Sequence, residues 1–289
     1  MRTTIVSGLL GSGKTTFIKN YVRGRNESAV VLVNEFGQSG IDGDIFTADA
    51  IESVELPSGC VCCTLKVDLI TTVKNIIRKH SPQHLLIEPS GVASPSAVLE
   101  AIASAGVDVA TVVGIIDVTE FSELYASGIY GSFFEDQIVN ADVILVNKTD
   151  LAAEEMIVDA INHIESINPR ILLFRAIQAE FQWSLPQISE QRKSRQTNHS
   201  RFHFDSLSMN MPSGIKLSYL REHMDKIAGG QYGTVVRAKA LVQTDEGPFR
   251  FDVVFGRVNC TRFSQAVPNS RIVIIGDGLN QKDIQHVFS

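Results

Sequence analysis

Long apolar runs are missing from this chain. Its longest strongly apolar opening, residues 5–10, is far too short to span a bilayer and runs directly into glycine-rich sequence. With no visible signal peptide and no membrane anchor, a cytoplasmic location is expected. Excess basic charge is missing too: 26 Lys and Arg against 32 Asp and Glu leave a net charge of −6. That balance excludes the broad basic face that usually neutralises nucleic-acid phosphates. It leaves room for a small anion, which needs only a local cradle. Internal repeats, low-complexity tracts and a His-rich run are absent as well. Cysteine is scarce, with 4 in 289 residues, yet Cys60, Cys62 and Cys63 fall almost together while Cys260 stands alone. In a reducing compartment such a cluster reads as metal-binding or redox-active, not as a disulfide framework.

What is present is an ordinary globular composition, 44% apolar and 20% charged. Short apolar runs at 3–8, 29–34, 84–88, 110–118, 142–147 and 171–174 read as strands buried on both faces. Helical spacing covers 15–22, 65–80, 96–105 and 154–167. The alternation predicts an α/β domain, a mostly parallel sheet flanked by helices, over residues 1–183. Ligands of such sheets bind beyond the carboxyl ends of the strands. Residues 184–201 are polar and read as a linker. Residues 202–289 read as a small α+β domain: strands at 202–209, 234–243, 249–258 and 271–275, a helix at 216–227, a turn at 245–248 and a short terminal helix.

Gly8-Leu9-Leu10-Gly11-Ser12-Gly13-Lys14-Thr15 matches G-x-x-x-x-G-K-(S/T) between a strand and a helix, the context that makes it a P-loop. Gly8, Gly11, Ser12 and Gly13 would turn backbone N–H groups onto phosphate oxygens at a helix N-terminus. Lys14 would reach the β and γ phosphates, and the hydroxyl of Thr15, followed by Thr16, would sit on Mg²⁺. Asn147-Lys148-Thr149-Asp150 follows another apolar strand. The Asp150 carboxylate suits the paired N–H donors of guanine, which adenine does not offer. The Lys148 stem would pack on the base, and Asn147 would tie the loop down. Asp150 could also cap the helix that follows. Together the two motifs predict GTP and GDP as ligands.

Glu88 ends the apolar run Leu85-Leu86-Ile87 and precedes Pro89-Ser90-Gly91. A carboxylate there can hold the Mg²⁺ shell or orient the attacking water, and the Gly91 N–H can report the γ-phosphate. Glu35 in Asn34-Glu35-Phe36-Gly37 and Asp42 in Gly40-Ile41-Asp42-Gly43 are equal candidates for a second Mg²⁺-ordered loop. Asp117 reads as a helix N-cap for 118–124. Between the two candidate switches lies Gly59-Cys60-Val61-Cys62-Cys63, just before a helix whose dipole lowers thiol pKa. Soft thiolates select Zn²⁺, Cu(I) or related ions, and three sulfurs with one outside donor close a site. Cys260 reads as packing. His199 and His203 are close in sequence, the first in the linker and the second on an exposed strand face. No arginine near the switches offers a finger in cis, so slow hydrolysis is expected. A partner, or a second copy in a homodimer, would supply the missing positive charge.

The order SGLLGSGKTT, NEFG, GCVCC, LLIEPSG and NKTD resembles the CobW-type GTPase metallochaperones, relatives of the nickel-insertion GTPases UreG and HypB. The terminal α+β unit is similar to that family's C-terminal domain. The resemblance implies GTP-dependent delivery of a transition metal, zinc or cobalt, to a client metalloenzyme. It places the metal on Cys60, Cys62 and Cys63, and phosphate and Mg²⁺ on residues 11–16 and Glu88. Two features of many relatives are missing. The acids flanking NEFG are Val33 and Gln38 here, so no auxiliary carboxylate metal site is implied there. The absent His-rich tract removes the implication of metal storage. Two further functions fit the residues. One is a GTPase chaperone gating a cofactor-dependent enzyme, such as a corrinoid enzyme, with the thiolates as a staple. The other is a P-loop kinase, which would have no use for NKTD.

Overall fold

The computed structural model describes residues 1–9, 11–23, 27–33, 52–55, 64–89, 93–107, 110–126, 131–180, 205–254, 256–263 and 267–288. The chain divides into two compact units, Met1–Arg201 and Phe202–Ser289. The candidate linker at 184–201 lies outside the described residues.

In the first unit, seven strands are β1 (Arg2–Ser7), β2 (Ala29–Val33), β3 (Glu52–Glu55), β4 (His84–Glu88), β5 (Thr111–Asp117), β6 (Val143–Asn147) and β7 (Leu172–Arg175). They form one sheet in the order β3-β2-β4-β1-β5-β6-β7, every neighbouring pair parallel. The mostly parallel sheet expected from the alternating pattern is what forms. The central strands are apolar on both faces because both are covered: every residue of β4 and β6 is buried. β3 carries Glu-Ser-Val-Glu at the sheet edge, a composition too polar to stand out as a buried strand in sequence.

Six described helices flank this sheet: α1 (Lys14–Val22), α2 (Thr64–His80), α3 (Pro95–Ser104), α4 (Val118–Ala126), α5 (Gly131–Asn140) and α6 (Glu154–Ile167). Leu69, Val73 and Ile76 of α2 and Val98, Leu99 and Ile102 of α3 pack with Ile5, Leu32, Leu85 and Ile87 on one face. Phe17, Ile18 and Tyr21 of α1 pack with Val6, Val31, Leu86 and Ile115 on the other. Each such fully buried side chain contributes about 1.5–3 kcal/mol, enough in aggregate to fix the P-loop strand and α1 against each other.

The second unit is a five-stranded antiparallel sheet, β8 (Asp205–Asn210), β9 (Thr234–Thr244), β10 (Gly247–Val254), β11 (Arg257–Arg262) and β12 (Arg271–Asp277), in the order β11-β10-β9-β12-β8. Helices α7 (Leu217–Ala228) and α8 (Gln281–Phe288) complete it. Leu220, Met224, Ile227, Ile284 and Phe288 of the helices share one core with Ala238, Ala240, Val242, Phe251, Ile272 and Ile274 of the strands. The strand expected at 249–258 is in fact two. β10 ends at Val254 and β11 starts at Arg257, with Gly256 at φ 72 between them. Continuous β-forming residues on either side hid the reversal, and the left-handed glycine marks it.

Candidate functional site

The P-loop follows β1 and leads into α1. Gly13, the N-cap of α1, stands at φ 112 and Gly11 at φ 88, conformations that glycine alone adopts without strain. A Cβ at Gly8 would lie 2.5 Å from Ser12 Oγ and 2.6 Å from the Ile115 carbonyl, so the loop also closes too tightly there for any side chain. The first turn of α1 holds no acidic residue and its N-cap makes no side-chain hydrogen bond. Its backbone N–H groups and positive dipole end are thus presented toward the loop, as anion binding requires. Buried Lys14 donates from Nζ to the carbonyls of Gly8, at 3.0 Å, and Leu9, at 3.2 Å. Thr16 is exposed at the start of the helix.

Two of the Mg²⁺ candidates meet directly. Thr15 Oγ1 donates to Glu88 Oε1 at 2.8 Å, and Glu88 is only 6% exposed at the end of β4. A hydroxyl and a carboxylate converging beside a phosphate cradle are hard oxygen donors, the set that suits Mg²⁺. Glu35, Asp42, Gly91, Cys60, Cys62 and Cys63 lie outside the described residues. Among the described residues no group of three or more His, Cys, Asp or Glu could hold a metal ion.

The base loop is tied to the P-loop by one side chain. Asn147 Nδ2 donates to the Ser12 carbonyl at 2.7 Å, while its Oδ1 accepts from Ala179 N at 2.8 Å. Lys148 stands at φ 63 and its Nζ forms an ion pair with Asp117 at the end of β5. Asp117 also accepts from Thr119 N at 3.1 Å and from Thr119 Oγ1 at 2.6 Å, so it caps α4 as it anchors the lysine. Asp150 sits exposed in a short 3₁₀ turn, Thr149–Leu151. It does not cap α6, whose N-cap is Ala153. Its carboxylate is therefore presented to solvent, where a base edge can reach it.

One segment escaped the sequence reading. Ala176–Ala179 follows β7 and carries two consecutive non-glycine residues in left-handed backbone, Gln178 at φ 51 and Ala179 at φ 53. Such strain persists only where surroundings enforce it. Here Thr149 N and Oγ1 donate to the Ala176 carbonyl at 3.3 and 3.1 Å, and Asn20 Nδ2 donates to the Gln178 carbonyl at 3.0 Å. Base loop and α1 thus hold this segment beside Gly13, whose added Cβ would touch Ala179 Cβ at 3.4 Å. Nothing in Arg-Ala-Ile-Gln-Ala signals a turn; the constraint is tertiary.

Among the described residues of the second unit no group of three or more His, Cys, Asp or Glu could hold a metal ion; His203 lies outside them. Burial pushes the Cys260 thiol above its ordinary pKa, the opposite of an activated thiolate. No helix among the described residues is long and apolar enough to cross a membrane.

Two family models match the chain. Residues 2–174 match the model of the CobW/HypB/UreG nucleotide-binding domain, and residues 204–289 match the cobalamin synthesis protein cobW C-terminal domain. The zinc chaperone CobW of a Sinorhizobium species is 32% identical over 180 residues, covering 51% of this chain and 51% of that protein. The zinc chaperone YeiR of Escherichia coli (strain K12) is 33% identical over 160 residues, covering 53% and 48%. The chain thus spans about half the length of these curated relatives. The zinc-bound YjiA GTPase of E. coli matches over 99% of this chain and 97% of its own, at 18% identity and a TM-score of 0.45. A nucleotide-binding model covering well over half the chain, followed by the matching C-terminal domain, makes this protein a member of the CobW/HypB/UreG family.

Proposed function

We propose that this chain is a GTP-hydrolysing metallochaperone that takes zinc on Cys60, Cys62 and Cys63 and passes it to a client protein. Relatives named zinc chaperones and the family's nucleotide-binding domain support the class of activity. One structural observation carries the coupling. Glu55 of β3, Val33 of β2 and Glu88 of β4 stand side by side in the parallel sheet. Neighbouring strands lie ~4.8 Å apart. Three segments therefore leave the same edge of the sheet within roughly 10 Å: the one bearing the thiols, the one bearing Glu35 and Asp42, and the one bearing Gly91. The P-loop leaves that edge from β1, the next strand over from β4. Segments anchored this closely can respond together to one γ-phosphate.

GTP enters with its phosphates over the α1 N-terminus and its guanine at Asp150. Lys14 gives up the Gly8 and Leu9 carbonyls for phosphate oxygens, exchanging neutral acceptors for charged ones, which make stronger hydrogen bonds. Thr15 and Glu88 would hold Mg²⁺, with Glu35 or Asp42 as a further oxygen donor; when bound, the ion would supply positive charge to the β and γ phosphates. Glu88 also orients the attacking water, and the N–H of Gly91 registers loss of the γ-phosphate. With no arginine near the switch segments in the sequence, turnover is slow until a partner docks. Zinc itself is cargo.

The test is a competitive zinc titration of the whole chain with a non-hydrolysable GTP analogue, with GDP and with no nucleotide. Zinc affinities are expected to differ by about 5–150-fold between the GTP-analogue and GDP states, the ordinary range for two coupled sites. Equal affinities in all three states would remove the coupling while leaving the nucleotide site intact.

A further inference from the structure

One buried side chain on α5 has no role in the nucleotide chemistry described so far. Gln137 is fully buried, 0% exposed, on a helix that does not belong to the P-loop, the base loop or either switch. Its Nε2 donates to the Ser7 carbonyl at 3.2 Å and to the Ile115 carbonyl at 3.4 Å. Both neighbours are carbonyl oxygens, so only the amide nitrogen can face them, and the orientation of the side chain is settled chemically. Its Oε1 has no hydrogen-bond partner among the described residues.

The two carbonyls are not arbitrary. Ser7 is the last residue of β1, and its carbonyl belongs to the peptide that carries the Gly8 N–H into the P-loop. Ile115 lies beside Gly8: a Cβ there would meet the Ile115 carbonyl at 2.6 Å. Gln137 thus clamps the peptide plane at the P-loop entrance to the neighbouring strand β5. The sequence makes room for it. Gly114 interrupts the apolar run of β5, and a Cβ at that position would come within 3.2 Å of Gln137 Nε2 and 3.2 Å of Ile144 Cγ1. A glycine inside a buried strand marks a close approach, and here the approaching group is this amide.

We propose that Gln137 is a positioning residue for nucleotide binding, holding the P-loop entrance in its phosphate-binding conformation through the Ser7 and Ile115 carbonyls. The proposal rests on the GTPase reading above. A residue acting only in packing would lower stability without changing what the folded protein binds. A positioning residue changes affinity in protein that is fully folded.

The experiment measures fluorescent GDP·Mg²⁺ affinity, and thermal unfolding without nucleotide, for wild type, Gln137→Met, Gly114→Ala and the double variant. Methionine keeps the length and volume and removes the donor. The expected result is about 10-fold weaker binding in Gln137→Met, the scale of one lost buried hydrogen bond. Gly114→Ala displaces the amide by a few tenths of an ångström and is expected to weaken binding severalfold. The double variant is expected to bind no more weakly than Gln137→Met, because both changes break the same clamp. Gln137→Met binding GDP as tightly as wild type, whatever its melting temperature, overturns the proposal, as do effects of the two substitutions that simply add. Failure of wild type itself to bind guanine nucleotide would instead remove the GTPase reading, a separate outcome.

Discussion

At the scale of single residues, the site is held by side chains that each serve two loops. Asn147 joins the P-loop to the segment after β7, and Asp117 joins Lys148 to α4. Gly13 shows how little room this leaves. Besides its left-handed φ of 112, a Cβ there would stand 2.6 Å from Asn147 Nδ2. Gly13→Ala is therefore expected to abolish the rise in melting temperature that GDP·Mg²⁺ gives wild type; a full nucleotide-induced rise in the variant would contradict this geometry. Asp150, the proposed guanine contact, is by contrast exposed. Asp150→Ala should weaken GDP binding by roughly 100-fold, since hydrogen bonds to a charged acceptor contribute about 1.5–3 kcal/mol each. Calorimetric titration of folded protein checks it, with stability unchanged. The P-loop turn and the Asn147–Asp150 segment were legible in the sequence because their residue types and spacing mark loops that follow buried strands, which is where they lie. Gln137 and Ala176–Ala179 were not, because a glutamine in an amphipathic helix and a strained non-glycine turn have no local signature.

At the scale of elements, the strands β1, β4, β5 and β6 could be read directly, since only a two-sided core tolerates runs such as Val-Ile-Leu-Val. β3 and α5 could not. β3 is short and edged with glutamates, and α5 carries Asp136, Gln137 and Asn140 buried, only 5%, 0% and 0% exposed, inverting the usual polar-out pattern. Asp136 explains part of that inversion. The N-cap of α3, Ser94, makes no side-chain cap hydrogen bond, and Asp136 Oδ2 accepts from Ser96 N at 3.0 Å in its place. Asn140 Nδ2 donates to the other carboxylate oxygen at 3.3 Å. Burial pushes the Asp136 carboxyl above its ordinary pKa, outweighing the Ser96 hydrogen bonds that pull it down. A carboxyl whose folded pKa is raised favours the folded state most below the unfolded value of 3.8, and that contribution is lost as pH rises through the raised pKa. Urea unfolding of wild type and Asp136→Asn across acidic to neutral pH should show the wild type's relative stability greatest at the acid end and shrinking upward. A difference independent of pH would contradict a raised pKa at this position.

At the scale of the molecule, two separately cored units follow one another in the chain, a parallel α/β unit that carries the P-loop and the Asn147–Asp150 motif and an antiparallel unit. Under the proposed function the coupling would lie in the first unit, where Glu55 of β3, Val33 of β2 and Glu88 of β4 stand side by side at the strand ends. Coupling between two ligands is reciprocal: whatever factor the GTP state applies to zinc affinity, zinc must apply to GTP affinity. The measurement that tests this most directly is the affinity of a non-hydrolysable GTP analogue with and without stoichiometric zinc, for wild type and for Cys60→Ser/Cys62→Ser. In wild type, zinc is expected to change analogue affinity by the same factor that the analogue changes zinc affinity, and in the double variant to change nothing. An analogue affinity indifferent to zinc in wild type, with zinc demonstrably bound, would contradict it.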